Sequence, residues 1–498
     1  MNGTLGERAK QAVLWSTGFG LFRDGLQFLV MLIMVRLLDP AAYGQFALAG
    51  SIVGVVTLLS FTSYVEHTLQ ARRDAEVDFQ LHFTAGLVFQ VAAFAVTNLI
   101  ALGLRFLPDY ADVAPLVHVM SLIFLLTWPH EIRVKMIERA HDWRRLRLLQ
   151  AAALVGGLGL GLLLALAGAG VYALAAPALM VTVPFIYDLL VAQGWRPDWR
   201  WDWQRYRPAL RFGLAQIPNA LAVRLRPLLE NAVIVSALGF ASVGFLTRAT
   251  SLAVLFCIGP AAQLLLAIYP VITRIETGTE RYRRMSALVV RGVIWVMLPA
   301  ATLFAVLAEP VVAVIYGAKW TPVVPLLPWT MLVGVISALQ QTLLRLMLAH
   351  NQIRTSFMVN LLWFAGIGVC LVVLLRPHGL IPYLAGLCVL QAALAGFMAW
   401  SLHRAGGLAY RDLAQALASA LAALALALAI VWQGFQLLAL DKDTVRGAVL
   451  FGSLVGILYL GLLRVLFPRQ LHELLTYLPG GGFLLRLGFA SPSPRRAR

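Results

Sequence analysis

Charge is scarce in this chain: only 13% of its 498 residues are Asp, Glu, Lys or Arg, and only four are lysine. There are three cysteines, Cys257, Cys370 and Cys388, all in apolar stretches and at no metal-ligand spacing, so neither a disulfide framework nor a zinc site is expected. Polar connecting stretches reach only about 15 to 20 residues, too short to fold into a soluble nucleotide-binding domain. The chain has no Walker lysine loop, no HExxH, no DDxxD and no G-x-S-x-G. Neither an enzyme nor a bound cofactor or metal is therefore expected. No small-residue cleavage site of the A-x-A kind follows MNGTLGERAK, so the first apolar span is expected to be retained.

What fills the chain is apolar. Hydrophobic residues make up 60% of it, in runs of membrane-spanning length, which marks an all-α polytopic membrane protein. A hydrocarbon core about 30 Å thick takes about 20 residues of helix, and that ruler gives about 14 transmembrane helices. Their centres fall near Phe28, Ile52, Val91, Ile123, Gly159, Met180, Val223, Phe256, Leu298, Gly334, Gly366, Val389, Leu424 and Leu454. Under this arrangement Lys and Arg divide about 27 to 6 between the two sides, with Arg72, Arg73, Arg144, Arg145, Arg274, Arg283, Arg354 and the tail Arg495, Arg496 and Arg498 on the rich one. That side is the cytoplasm, and both termini face it. The net charge of +17 is spread over alternate loops beside the bilayer, so anionic lipid is the expected partner and nucleic acid is not.

A weak internal repeat appears at a shift of about 200 residues. Leu38-Asp-Pro-Ala-Ala-Tyr-Gly-Gln-Phe46 then faces Leu238-Gly-Phe-Ala-Ser-Val-Gly-Phe-Leu246, with Leu38 on Leu238, Ala41 on Ala241 and Gly44 on Gly244. A shorter echo pairs Ala114-Pro115-Leu116 with Val324-Pro325-Leu326. Two six-helix halves in parallel orientation follow, and transporters built from such repeats hold substrate near the midplane. The expected divisions are residues 1–192 (helices 1–6), a cytoplasmic linker 193–212, residues 213–402 (helices 7–12), residues 403–467 (helices 13–14) and a cytoplasmic tail 468–498.

The segment Val35-Arg-Leu-Leu-Asp-Pro-Ala-Ala-Tyr-Gly-Gln-Phe46 resembles the turn after the first helix of the polysaccharide flippases of the multidrug/oligosaccharidyl-lipid/polysaccharide (MOP) exporter superfamily. Leu238 to Leu246, Glu309-Pro-Val-Val-Ala-Val-Ile-Tyr-Gly-Ala-Lys-Trp-Thr-Pro322 and Glu138-Arg-Ala-His-Asp-Trp-Arg-Arg145 are similar to further segments of that family. The resemblance implies two six-helix lobes in a V-shaped bundle, with the last helix pair appended as a groove for a lipid tail. It implies a cargo too: an undecaprenyl-pyrophosphate-linked oligosaccharide repeat unit, moved across the bacterial inner membrane by alternating access for surface polysaccharide synthesis. A polysaccharide polymerase is the implied downstream partner, and an ion gradient the implied energy source in several members.

The charges inside the spans point the same way on chemical grounds. An arginine at mid-membrane costs about 2.5 to 3.5 kcal/mol on insertion scales, so each such residue is expected to face protein or water. Pyrophosphate needs planar, multidentate donors, which Arg supplies better than Lys. In the first span Arg23 and Gln27 share one face. They either line a cavity, with Asp24 neutralising an arginine when cargo is absent, or Arg23 and Asp24 form a structural pair. In the seventh span Arg226 and Glu230, four apart, pair as a gate or a brace, while Arg224 points about 160° away and is left as the freer cation. Pro218, Asn219 and Pro227 mark that span as a candidate moving part. Arg248 either meets phosphate at the exit or reaches the outer headgroups; Arg291 and Arg345 are expected to snorkel. Glu66, His67, His130, Glu131, Arg133 and Asp188 lie near span ends, as interfacial residues or as proton carriers. Tyr110, Tyr316, Trp320 and Trp329 suit the headgroup belt or a sugar face, and Trp195, Trp199, Trp201 and Trp203 a membrane-anchoring segment. The rival functions are a drug or small-molecule exporter of the same superfamily, whose cavity is expected to be aromatic and acidic, and a polysaccharide polymerase or ligase, which needs a large outward catalytic loop.

The charge asymmetry predicts that green fluorescent protein fused after Arg498 fluoresces and that alkaline phosphatase inserted after Asp443 is active. The opposite pattern refutes the orientation.

Overall fold

The computed structural model describes residues 5–59, 79–272 and 275–477. Glu66, His67, Arg72, Arg73, Arg274, Arg495, Arg496 and Arg498 lie outside the described residues, as do the side chains of Pro218 and Asn219. The described backbone is helical and contains no strand. The helices are α1 (Leu5–Leu37), α2 (Pro40–Val56), α3 (Phe79–Leu104), α4 (Ala114–Arg139), α5 (Trp143–Leu166) and α6 (Tyr172–Ala192). Next come α7 (Trp203–Leu238), α8 (Phe240–Ala253, a π turn Val254–Ile258, then Gly259–Ile272), α9 (Glu280–Val306) and α10 (Leu327–Ala349). The chain continues as α11 (Ile353–Cys370, with a π turn Leu371–Leu375), α12 (Leu380–Arg404), α13 (Tyr410–Leu437), α14 (Val445–Leu466) and α15 (Pro468–Tyr477). Every expected centre falls within one of α1 to α14, and eleven of the described helices are long and apolar enough to cross a membrane. The other three centres lie in α1, in the 17-residue α2 and in the 36-residue α7. The chain is a multi-pass helical membrane protein.

Local sequence starts these helices where they start. Pro40 opens α2, its missing N–H being harmless in a first turn. Asp142, Thr279 and Thr444 cap α5, α9 and α14 by accepting from the N–H groups of Arg145, Tyr282 and Gly447. Gly239, at φ +82°, makes the turn from α7 into α8, a conformation that side chains with a Cβ rarely adopt. Large apolar residues such as Leu99, Val372 and Val389 remain exposed on the protein, as expected of surfaces solvated by lipid.

The chain divides into two compact units, Met1–Thr247 and Arg248–Arg498. In the first, α3 packs on α4, α5 on α6, α1 along α5, and α2 along α7. Trp128 of α4 lies over Gly86 of α3, so close that a Cβ on the glycine would overlap the indole, and its Nε1 donates to the Phe83 carbonyl at 2.9 Å. In the second unit, α9 packs on α10 and α13, α10 on α12, and α13 on α14. Trp295 binds this group together: its Nε1 donates to Ser419 Oγ of α13 at 2.9 Å, and its carbonyl accepts from Tyr459 of α14 at 2.9 Å. The short α15 buries Leu471, Leu474 and Leu475, and Glu473 pairs with Arg284 of α9.

One buried charge cluster differs from the reading of Arg133 and Asp188 as interfacial or proton-carrying residues. Asp188, 6% exposed, takes Arg133 of α4 at 2.6 Å on one oxygen and Arg145 of α5 at 2.6 Å on the other. A carboxylate clamped by two guanidinium groups from separate helices is a brace, because removing it leaves the buried Arg133 without its carboxylate, while the Arg145 side chain stays 35% exposed. Asp188→Asn is predicted to destabilise the protein by about 3 kcal/mol, read as a lower thermal unfolding midpoint in detergent. An unchanged midpoint would show that the cluster carries no structural load.

Candidate functional site

The membrane-depth charges of the first unit lie on two helices. On α1, Arg23 holds its neighbour Asp24: Nε donates to Oδ1 at 2.9 Å and Nη2 stands 2.8 Å from the same oxygen. Both side chains are open, at 48% and 66% exposure, and Gln27 is exposed one turn further along. An ion pair this accessible does not brace α1 against a neighbouring helix. It is a cation paired with the carboxylate of its own neighbour on α1.

On α7, Arg224 faces α2. Its Nη1 donates to the carbonyl of Gly54 at 3.2 Å, and Asn231, seven residues on, donates from Nδ2 to the carbonyl of Ala47 at 3.2 Å. The acceptors are also seven residues apart, so two turns of α7 run antiparallel against two turns of α2 in constant register. Tyr110, in the outer turn before α4, adds a 3.1 Å bond to the Ala232 carbonyl. Arg224, expected to be the freer cation, thus rests on a backbone acceptor with much of its side chain exposed. Arg226 lies on another face and stands 3.7 Å from Glu230, an ion pair too long for a direct hydrogen bond. Helix α7 runs unbroken from Trp203 to Leu238, so Pro227 does not interrupt it. Asn231 did not stand out in the sequence, although an amide within an apolar span was itself a signal.

The second unit begins at Arg248. This residue is half-buried, and its carbonyl accepts from the Tyr316 hydroxyl at 3.0 Å. Tyr316 and Trp320 pack ring to ring at 5.7 Å and are 1% and 0% exposed, so they belong to neither a headgroup belt nor a sugar-stacking face. The Gly317 turn folds them inward. Arg291 does not snorkel either: it is 7% exposed on α9, beneath α15, with Glu473 and Asp412 as the acidic groups acting on it. Arg345 is exposed. In the linker before α7, Trp199, Trp201 and Trp203 are exposed, while Trp195 packs edge-on against Phe83 at 5.2 Å.

A polar group missed in the sequence joins α3 to α4. His118 Nδ1 lies 2.6 Å from Asn98 Oδ1, and Asn98 Nδ2 donates to Ser121 at 3.0 Å. Among the described residues no cluster of His, Cys, Asp and Glu could hold a metal ion.

Comparison with known proteins follows the same lines. The profile of the family described as "Polysaccharide biosynthesis protein" matches residues 33–325. The chain is 21% identical to the lipopolysaccharide biosynthesis protein WzxC of Escherichia coli K12, over 72% of this chain and 73% of that one. It is 22% identical to the succinoglycan biosynthesis transport protein ExoT of Rhizobium meliloti, over 61% of each. Among solved structures, the lipid II flippase MurJ in an inward closed conformation aligns over 91% of this chain and 99% of its own length, with a TM-score of 0.68 at 10% identity. An inward-facing multidrug resistance MATE family transporter of the MOP superfamily aligns over 76% of this chain and 93% of its own, with a TM-score of 0.55 at 16% identity. At these identities the structural likeness establishes the transporter fold alone.

A double-mutant cycle with Arg226→Met and Glu230→Gln is predicted to give a coupling of about 0.5 to 1 kcal/mol in thermal stability. Strict additivity would show that the pair does no bracing.

Proposed function

Because the chain belongs to the polysaccharide biosynthesis protein family of the MOP superfamily, we propose that it is a flippase for a lipid-linked oligosaccharide. Its cargo is an undecaprenyl-pyrophosphate-linked repeat unit, carried across the bacterial inner membrane by alternating access, with both termini in the cytoplasm. The observation that carries this reading is the state of Arg23 and Arg224. Each sits at membrane depth within the first unit, substantially exposed, on an acceptor that a stronger anion can replace: a neighbouring carboxylate for Arg23, a neutral carbonyl for Arg224. A pyrophosphate offers each guanidinium several charged oxygens, and charge-assisted bonds of that kind exceed a bond to a neutral carbonyl. In a low-dielectric surrounding the difference grows.

The remaining charges have supporting roles. Asp24 takes back Arg23 once the cargo has left, which keeps the empty carrier from holding an uncompensated cation. Arg226 and Glu230 brace α7. Basic loops on the cytoplasmic side lie against anionic lipid and draw the headgroup of the cargo toward the protein. The product is handed on to a polysaccharide polymerase.

In a deletion strain, Arg23→Ala and Arg224→Ala at normal expression are predicted to lower surface polysaccharide by about tenfold or more, the scale expected for a lost charged hydrogen bond. The lipid-linked repeat unit is predicted to accumulate at the same time. Arg224→Lys restores only part of the export, since an ammonium lacks the planar fork. Full export by both alanine variants refutes the cationic site, and export of cationic dyes without any effect on polysaccharide identifies a drug exporter instead.

A further inference from the structure

The short helix α15 closes over two arginines of α9. Arg284 and Arg291 are seven residues apart, so they share one face of α9, with Arg291 about 10 Å further along the axis. Helix α15 packs on that face. A Cβ on Gly292 would come 3.0 Å from Leu474 Cδ1, Leu471, Leu474 and Leu475 are buried, and Glu473 pairs with Arg284. The two cations differ in their surroundings. The Arg284 side chain is 70% exposed, whereas Arg291 is 7% exposed and its buried Nε has no hydrogen-bond partner among the described residues. The acidic groups acting on Arg291 are Glu473 of α15 and Asp412 of α13.

A single residue, Phe467, separates α15 from the span α14, so α15 starts at the membrane surface where α14 ends. That is the level of lipid headgroups. Its three leucines gain little from the protein that the leaflet would not also supply, since hydrocarbon tails are as apolar as leucine. An amphipathic helix of this kind also lies stably in the interfacial plane. The charges therefore decide where α15 rests. Glu473 is the protein's own anion, held at Arg284 and beside Arg291 in the layer where lipid phosphates stand.

We propose that Arg284 and Arg291 form a binding site for the phosphate of an anionic phospholipid, with α15 as its lid and Glu473 as the anion that fills it when the lid is shut. The exposed Arg284 is captured first, because a phosphate accepts two parallel bonds from a guanidinium. Glu473 then has no partner and is repelled by the anionic surface, while Arg469, exposed on α15, is attracted to it. Once α15 swings into the leaflet, Arg291 extends to the same phosphate layer. Because α15 packs on both α14 and α9, lipid then sets how firmly the last helix pair is seated. The site narrows the general attraction of basic loops for anionic lipid to two residues and a lid, and it rests on neither the cargo nor the orientation proposed above.

The test uses the full chain in nanodiscs, which present both membrane faces, with Cys257, Cys370 and Cys388 replaced by alanine. Spin labels are placed at Thr476→Cys on α15 and Arg354→Cys on α11, both exposed. Pulsed electron resonance is expected to give one distance in phosphatidylcholine and a second in phosphatidylglycerol, with the ratio of released to docked α15 raised about tenfold, the scale of an anionic surface acting on one or two basic residues. This comparison needs no substitution in the site. Glu473→Gln is expected to raise the ratio already in phosphatidylcholine. Arg284→Gln, at an exposed position, is expected to lose the response to phosphatidylglycerol, and Arg291→Met to keep α15 docked in both lipids, since nothing beneath the lid then needs an anion. The same distance in both lipids, or a response that Arg284→Gln and Arg291→Met both retain, overturns the site. Release by inorganic pyrophosphate in phosphatidylcholine, with none by phosphatidylglycerol, overturns the assignment to lipid.

Discussion

A guanidinium group inside a bilayer has to find acceptors within the protein, and the polar architecture of this chain follows from that requirement. Water is absent at that depth, so the charge is met by a carboxylate or by backbone carbonyls whose own bonds are already made. Arg23 meets it with Asp24, Arg226 with Glu230, and Arg224 with Gly54, while near the span ends Arg133 and Arg145 share Asp188. These solutions differ in how easily they are undone. Asp188 is enclosed and doubly bound, so its cluster fixes three helices in place. The Arg23 pair and the Arg224 bond are more exposed.

The same requirement shapes the face between α2 and α7. Helices in lipid gain little from apolar contact, because lipid tails solvate leucine as well as another helix does. Close backbone approach and a few directed hydrogen bonds therefore hold them together. The α2–α7 face carries the Arg224 and Asn231 bonds to backbone, whereas the α9, α13 and α14 group of the second unit is tied through the buried Trp295, Ser419 and Tyr459.

Much of this was legible along the chain. The helical class and the position of each span follow from apolar runs about 20 residues long, which each segment carries within itself. The pairing of Arg226 with Glu230 was readable because both lie on one helix, four residues apart. Tyr316, Trp320 and Arg291 were not readable in this way. An aromatic or an arginine near a span end is equally compatible with a headgroup region and with a protein interior, and the inward fold of the Gly317 turn and the cover supplied by α15 decide between them.

The sequence by itself determined that this is a many-helix membrane protein with arginines at costly depth and a repeated turn at Gly44 and Gly244. Hydrophobicity and helical register are local properties, and both are complete within a single span. Tertiary structure alone decided what those features touch. Arg224 and its acceptor are 170 residues apart, and Asn231 and its acceptor 184. The two glycines recur for a reason that neither segment contains: each makes room for a carbonyl of the other helix. A hydrogen-bond partner or a steric limit set by a distant backbone exists only once the helices have been brought together.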